Sequence, residues 1–147
     1  VNKVIDKLRD YNFIFIGNLQ ESNINKQENV KSISFMRHDH LMYLLKNCQL
    51  LWCPFKKNDL TGSMTPIKFV EALSLGIPVL STSINFKDEL ISEYIEFKDE
   101  IQSHISFIQD FYENENDKKK LDRINRVKER SWDAIIRKYI DLIEIES

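Results

Sequence analysis

Four short apolar runs constrain this chain more than any other feature: "NFIFIG", which ends at Gly17, "VKSISF" at 30–35, "QLLWCPF" at 49–55 and "PVLST" at 78–82. In "FIFI", "LLWC" and "PVL" the apolar residues stand side by side rather than alternating, so a strand built from them buries both faces. Helical spacing fills the intervals. Val4, Ile5 and Leu8 share a face within 2–10, and Leu41, Leu44 and Leu45 do so in "HDHLMYLLKNC". Further helices are predicted over 66–75, near Lys87 to Glu93 and from about Asp99 to Tyr112, with a weak strand "YIEF" at 94–97. Strands buried on both faces and separated by helices imply an α/β fold, a Rossmann-like doubly wound parallel sheet. In the last segment, "SWDAIIRKYIDLI", Ser131 is the predicted N-cap. Trp132, Ile135, Ile136, Tyr139, Ile140 and Ile143 follow a helical stripe that is expected to pack. "NENDKKKLDR" is read as a polar turn between helices.

A chain of 147 residues suits a single domain over 1–147, with roughly 70% of the unfolded surface buried. With 21 basic and 23 acidic side chains the net charge is -2, which gives nucleic acid no electrostatic reason to bind. The basic run "KKKLDRINRVKER" is interrupted by Asp122 and Glu129 and is read as a solvated helix face. No stretch reaches the roughly 20 apolar residues of a membrane span. Cys48 and Cys53 flank an apolar run and point to opposite faces of a strand, so no disulfide is expected and a cytoplasmic setting is. His38, Asp39 and His40 lack a third ligand at compatible spacing, so no metal or cofactor is expected there. Asp39 or His38 is better placed near the N-cap of the following helix.

The stretch "TGSMTPIKFVEALSLGIPVLST" at 61–82 carries the chemistry. Thr65 is a preferred N-cap and Pro66 suits the first helical position. Gly76 stands where a left-handed residue ends a helix, and Pro78 forbids continuation. Ile67, Val70, Leu73 and Leu75 are the predicted core contacts. Lys68 and Glu71, three residues apart, share a face near the start of this helix. In a doubly wound sheet that helix start faces the ligand cleft, where its free N–H groups attract an anion. Lys68 would add a charge for a phosphate, and Glu71 would accept hydrogen bonds from a vicinal diol. Phosphate beside ribose describes a nucleotide; an ordinary surface ion pair is the competing reading. Arg37, just past "SISF" at a carboxyl end, is placed to edge a nucleobase or phosphate, with a solvated loop arginine as the alternative.

"LLWCPFKKNDLTGSMTPIKFVEALSLGIPVLST" resembles the donor-binding half of GT-B-fold glycosyltransferases, bacterial enzymes with a pattern like "PF…N.LT….P.KL.EYLA.G.PVVST". The likeness covers Asn12 to Thr82 in element order, and the ending resembles the C-terminal helix of those enzymes. It implies a cytoplasmic enzyme, at the inner face of the membrane, that takes a sugar from a UDP- or GDP-type donor in surface polysaccharide assembly. Glu71 then matches the glutamate that holds the ribose hydroxyls. The backbone at Ser63, Met64 and Thr65 matches the turn that approaches the diphosphate, and Lys68 matches the lysine of "P.K..E". Gly17 and Arg37 complete the expected donor-binding set. Catalytic residues are not assigned.

Two departures follow. Many retaining members carry a glutamate eight residues before the ribose glutamate, where this chain has Ser63, which leaves the sugar and the stereochemistry open. The chain also begins at its first helix, so it is expected to be a fragment without the first, central strand and without the N-terminal acceptor domain, and inactive alone. In the order 3-2-1-4-5-6 that loss opens a gap between "FIFIG" and "LLWCP". Their edges should meet, or another chain should fill the slot, as in a dimer. The rival is a flavodoxin-like interaction or regulatory module that binds no nucleotide.

Overall fold

The computed structural model describes residues 1–17, 24, 27–56, 58, 61, 66–86 and 88–145. It divides into two compact units, 1–47 with 98–114, and 48–97 with 115–147. The first holds helices α1 (Asn2–Lys7), α2 (His38–Leu45) and α5 (Ile101–Asn114) with strands β1 (Phe13–Ile16) and β2 (Val30–Ile33). The second holds strands β3 (Leu51–Cys53), β4 (Val79–Ser81) and β5 (Ile95–Phe97). Its helices are α3 (Ile67–Ser74), α4 (Glu89–Ser92), α6 (Asp117–Lys128) and α7 (Trp132–Ile145). Every strand pairing is parallel, and helices flank both sheets, which is the α/β Rossmann-like class that the apolar runs predict.

In the first unit β1 pairs with β2 in the register Phe13↔Val30 to Ile16↔Ile33. Helix α1 packs on α5. Val4, Ile5 and Leu8 meet the side of α5 that buries Ile105, Ile108 and Phe111. The Asn29 side chain donates to Leu8 O at 3.2 Å and Tyr11 O at 2.9 Å, which ties the turn after α1 to the start of β2. One expectation fails here. Ile14 and Ile16 are each 39% exposed, so β1 does not bury both faces. Ile14 and Ile16 share one face of β1, so that face is the open one, while Phe13 and Phe15 on the other are half-buried.

In the second unit β4 lies between β3 and β5, in the registers Leu51↔Val79 and Val79↔Ile95. All three β4 residues are fully buried, which is the physical reason for the unbroken "VL". An order 3-2-1-4-5-6 without its first strand asks for β2 beside β1 and for β3, β4 and β5 in sequence, and that is the pairing within each sheet.

Helix α3 buries Phe69, Ala72 and Leu73 against β4 and α6. Ile67, expected in the core, is 68% exposed. It opens the helix about 200° away from Phe69 at 100° per residue, which puts it outside the arc that Phe69, Ala72 and Leu73 define. Gly76 has φ 76, and a Cβ there would lie 2.4 Å from Lys120 Cγ and 3.1 Å from Lys120 O. Glycine is therefore required twice, by backbone conformation and by the close approach of α6.

The polar turn read in "NENDKKKLDR" is only Glu115 and Asn116, between α5 and α6, and α6 takes up most of the basic run read as a helix face. Asn116 Oδ1 accepts from Lys119 N at 3.0 Å and starts α6. Lysine and arginine are good helix formers, and α6 is not solvated all round, since it buries Arg123 and Val127. Arg123 Nε donates to Gly76 O at 2.8 Å and its guanidinium pairs with Glu115, which satisfies a carbonyl left open at the end of α3. Helix α4 is shorter than predicted, with Lys87 outside the described residues, and α5 starts two residues later than predicted. Ser131 caps α7 as expected, accepting from Ala134 N at 3.2 Å. The α7 stripe does not pack as expected: Ile136, Tyr139, Ile140 and Ile143 are all exposed, and the Trp132 and Ile135 side chains lie outside the description.

Candidate functional site

The carboxyl ends of β3 and β4 are clamped together. Cys53 O accepts from Phe55 N at 2.9 Å, Thr82 N at 3.3 Å and Ser81 Oγ at 3.1 Å. The Phe55 bond closes a three-residue turn around Pro54, whose ring fixes φ near the value such a turn needs. Thr82 Oγ1 donates to Phe55 O at 3.0 Å, so the chain leaving β3 is held at its next peptide as well. Further along, Asn58 and Thr61 bond reciprocally, Asn58 N to Thr61 Oγ1 at 3.0 Å and Thr61 N to Asn58 Oδ1 at 2.8 Å. The Thr61 hydroxyl also donates to Lys56 O at 2.8 Å, so short polar side chains tie the described residues 56, 58 and 61 together.

Beneath this loop a row of phenylalanines crosses the ends of the strands. Ring centroids are 6.3 Å apart from Phe55 to Phe69, 5.6 Å from Phe69 to Phe86 and 6.1 Å from Phe86 to Phe97, all tilted. Such tilted contacts favour edge-to-face packing. The Lys68 ammonium lies 4.6 Å from the Phe55 centroid, over the ring, within cation–π range. Burial pushes the Cys53 thiol up to about 11 even though the Lys68 charge pulls it the other way, so this thiol stays protonated and is no nucleophile at neutral pH.

Helix α3 starts one residue later than the sequence suggests. Pro66, with φ -67 and ψ 114, occupies the N-cap instead of the first helical position, and its carbonyl accepts from Phe69 N at 3.0 Å. The extended ψ of Pro66 takes the non-helical role that the sequence gives to Thr65, and among the described residues no side chain caps α3. Lys68 is exposed in the first turn and Glu71, half-buried, follows one turn on, so the structure keeps both on the helix that follows the clamped end of β3. Ser63, Met64 and Thr65 lie outside the described residues.

Gly17 and Arg37 belong to the first unit. Gly17 has φ 129 and its N–H donates to Ile33 O at 3.0 Å, which continues the β1–β2 ladder by one step; its positive φ is what demands glycine. Arg37 holds the N-cap position of α2, which gives His38 and Asp39 the first helical places instead. Its guanidinium meets Asp39 with two bonds, 3.2 Å from Nε and 3.1 Å from Nη2, both side chains being exposed. Among the described residues no group of three or more His, Cys, Asp or Glu side chains could hold a metal ion, and no helix is long and apolar enough to cross a membrane.

Sequence reasoning singled out Lys68 and Glu71, which lie on α3, and did not single out Phe55, Asn58, Thr61 and Thr82, whose contacts shape the chain after β3 and β4. The signal was available: these residues stand in "PFKKN", "LT" and "ST" of the quoted motif. Their roles depend on contacts 27 residues apart for Thr82 and Phe55, which no local pattern reveals. A comparison with curated proteins finds no match. A comparison with protein families matches residues 2–130 to the family described as Glycosyl transferases group 1. That span takes in both parallel sheets, the clamped β3–α3 loop, Lys68 and Glu71, and the chain belongs to the group 1 glycosyltransferases.

Proposed function

We propose that residues 1–147 act as one donor-binding domain of a glycosyltransferase that moves a sugar from a UDP- or GDP-sugar to an acceptor held by a second domain. The diphosphate sits at the start of α3, where N–H groups and the helix dipole favour an anion and Lys68 adds a full charge. Glu71, one turn on, accepts hydrogen bonds from the ribose hydroxyls. Ser63, Met64, Thr65, Gly17 and Arg37 are the further residues of the proposed donor-binding set. As the glycosidic bond breaks, negative charge grows on the leaving diphosphate, and fixed donors around it lower the barrier. The setting is bacterial surface polysaccharide assembly, at the inner face of the membrane. The observation that carries this reading is the Lys68 ammonium held 4.6 Å from the Phe55 centroid in the first turn of α3, with Glu71 next on that helix.

Saturation-transfer NMR with UDP and GDP, followed by calorimetric titration, tests it. Glu71→Gln is expected to weaken nucleotide binding by about 1.5–3 kcal/mol, the range of a hydrogen bond to a charged group, with the unfolding midpoint unchanged. Equal affinity in variant and parent would return Lys68 and Glu71 to an ordinary surface pair, and no binding by the parent would favour the regulatory module.

A further inference from the structure

Thr82 stands one residue beyond β4, and neither the fold class nor the donor reading gives it a task. Its contacts suggest one. Its N–H and hydroxyl both turn back onto the neighbouring strand, to Cys53 O at 3.3 Å and Phe55 O at 3.0 Å. Phe55 is thereby fixed on both sides of its own peptide unit, since its N–H donates to Cys53 O at 2.9 Å. Only the two side-chain torsions of Phe55 remain free, and its ring packs at 51° to Phe69, which is fully buried. A fixed ring offers a fixed face, and Lys68 lies over it at 4.6 Å. Lysine is a flexible four-carbon stem carrying a point charge, so without such a face an exposed ammonium samples many positions.

We infer that Thr82 is a positioning residue for donor binding: its hydroxyl anchors the Phe55 carbonyl, and the Phe55 ring then holds the Lys68 ammonium where the donor's diphosphate is received. The inference rests on the donor reading above. A part-buried hydroxyl needs an acceptor, and the one it has is the carbonyl that orients the platform. Serine would preserve the bond. Valine, of the same shape, would abolish it and leave Phe55 O without that donor.

The test joins a signal that needs no ligand to one that does. The Lys68 Cε methylene protons, assigned by their loss in Lys68→Arg, are expected upfield in the free chain because the Nζ they adjoin lies over the Phe55 ring. Thr82→Ser should keep that shift. Thr82→Val and Phe55→Leu should lose it, and Thr82→Ala should lose it too if the valine variant fails to fold. In calorimetric titrations Thr82→Val should weaken UDP binding about two- to fivefold, the span of one displaced charge near a helix start, and leave uridine binding unchanged. A Lys68 signal that stays upfield in Thr82→Val overturns the relay. A displaced signal with unaltered UDP affinity keeps the relay and overturns its role in donor binding, so the two failures are told apart.

Discussion

Helices α3 and α7 carry equally plain apolar stripes, yet the structure treats them in opposite ways. In α3, Phe69, Ala72 and Leu73 are all fully buried. In α7, Tyr139 is 64% exposed and Ile143 68% exposed. The stripe tells that a helix forms and which side is apolar; it does not tell whether a partner surface lies opposite that side. α3 finds β4 and α6. For α3 this is a matter of fit at named points: Gly76 lets Lys120 approach and Arg123 reaches back to Gly76 O. α7 has its Ser131 cap and an acidic Asp133 in its first turn, while the described side chains of its stripe stay exposed.

The largest expected contrast between the two is at Phe69. Phe69→Ala removes a ring that touches both Phe55 and Phe86, and should cost about 3–5 kcal/mol in urea unfolding. A loss no larger than that of an exposed residue would show α3 to be as loosely held as α7. Gly76→Ala comes next. A left-handed alanine costs about 1–2 kcal/mol before any contact with Lys120 is counted, so a drop of at least that size is expected in the same assay. A neutral result would mean that α6 does not lie against the end of α3.

Helix α5 supplies an intermediate case, because its buried side includes His104, whose ring nitrogen bonds Lys98 O at 2.9 Å. Burial holds this imidazole below its ordinary value, against the pull of that carbonyl and of Asp99. The unfolded chain then binds the proton more readily, so the stability contributed by neutral His104 is complete above the unfolded pKa of about 6.5 and is lost as pH falls from there through the folded pKa. Thermal melts from pH 7.5 to 5 should show the parent losing stability in this window and His104→Gln losing less. Parallel pH profiles would remove His104 as the cause. The smallest effect is expected on α7: Ile140→Ser should change stability by no more than about 0.5 kcal/mol, as at other exposed sites. A loss several times larger would erase the contrast with α3.

The same division runs through the candidate site. Lys68 and Glu71 were legible because a helix start just after a strand has its own markers, and the spacing of the pair is local. The start itself was misplaced by one residue, since Thr65 and Pro66 are each good in two adjacent positions and only backbone angles choose between them. Phe55 and Thr82 were not legible as a unit, because the bond between them crosses from the end of β3 to the end of β4.

By itself the sequence determined the run of elements, the parallel class and the end of α3, because adjacent apolar residues, helical spacing, Gly76 and Pro78 act through the nearest few residues of backbone. Tertiary structure alone decided which apolar faces are covered, that β4 is enclosed while β1 is half open, and that a helix as polar as Asp117–Lys128 buries an arginine. It also decided where the Lys68 ammonium rests. Those outcomes depend on surfaces brought together from distant parts of the chain, and burial and fit between such surfaces leave no periodic trace in either one.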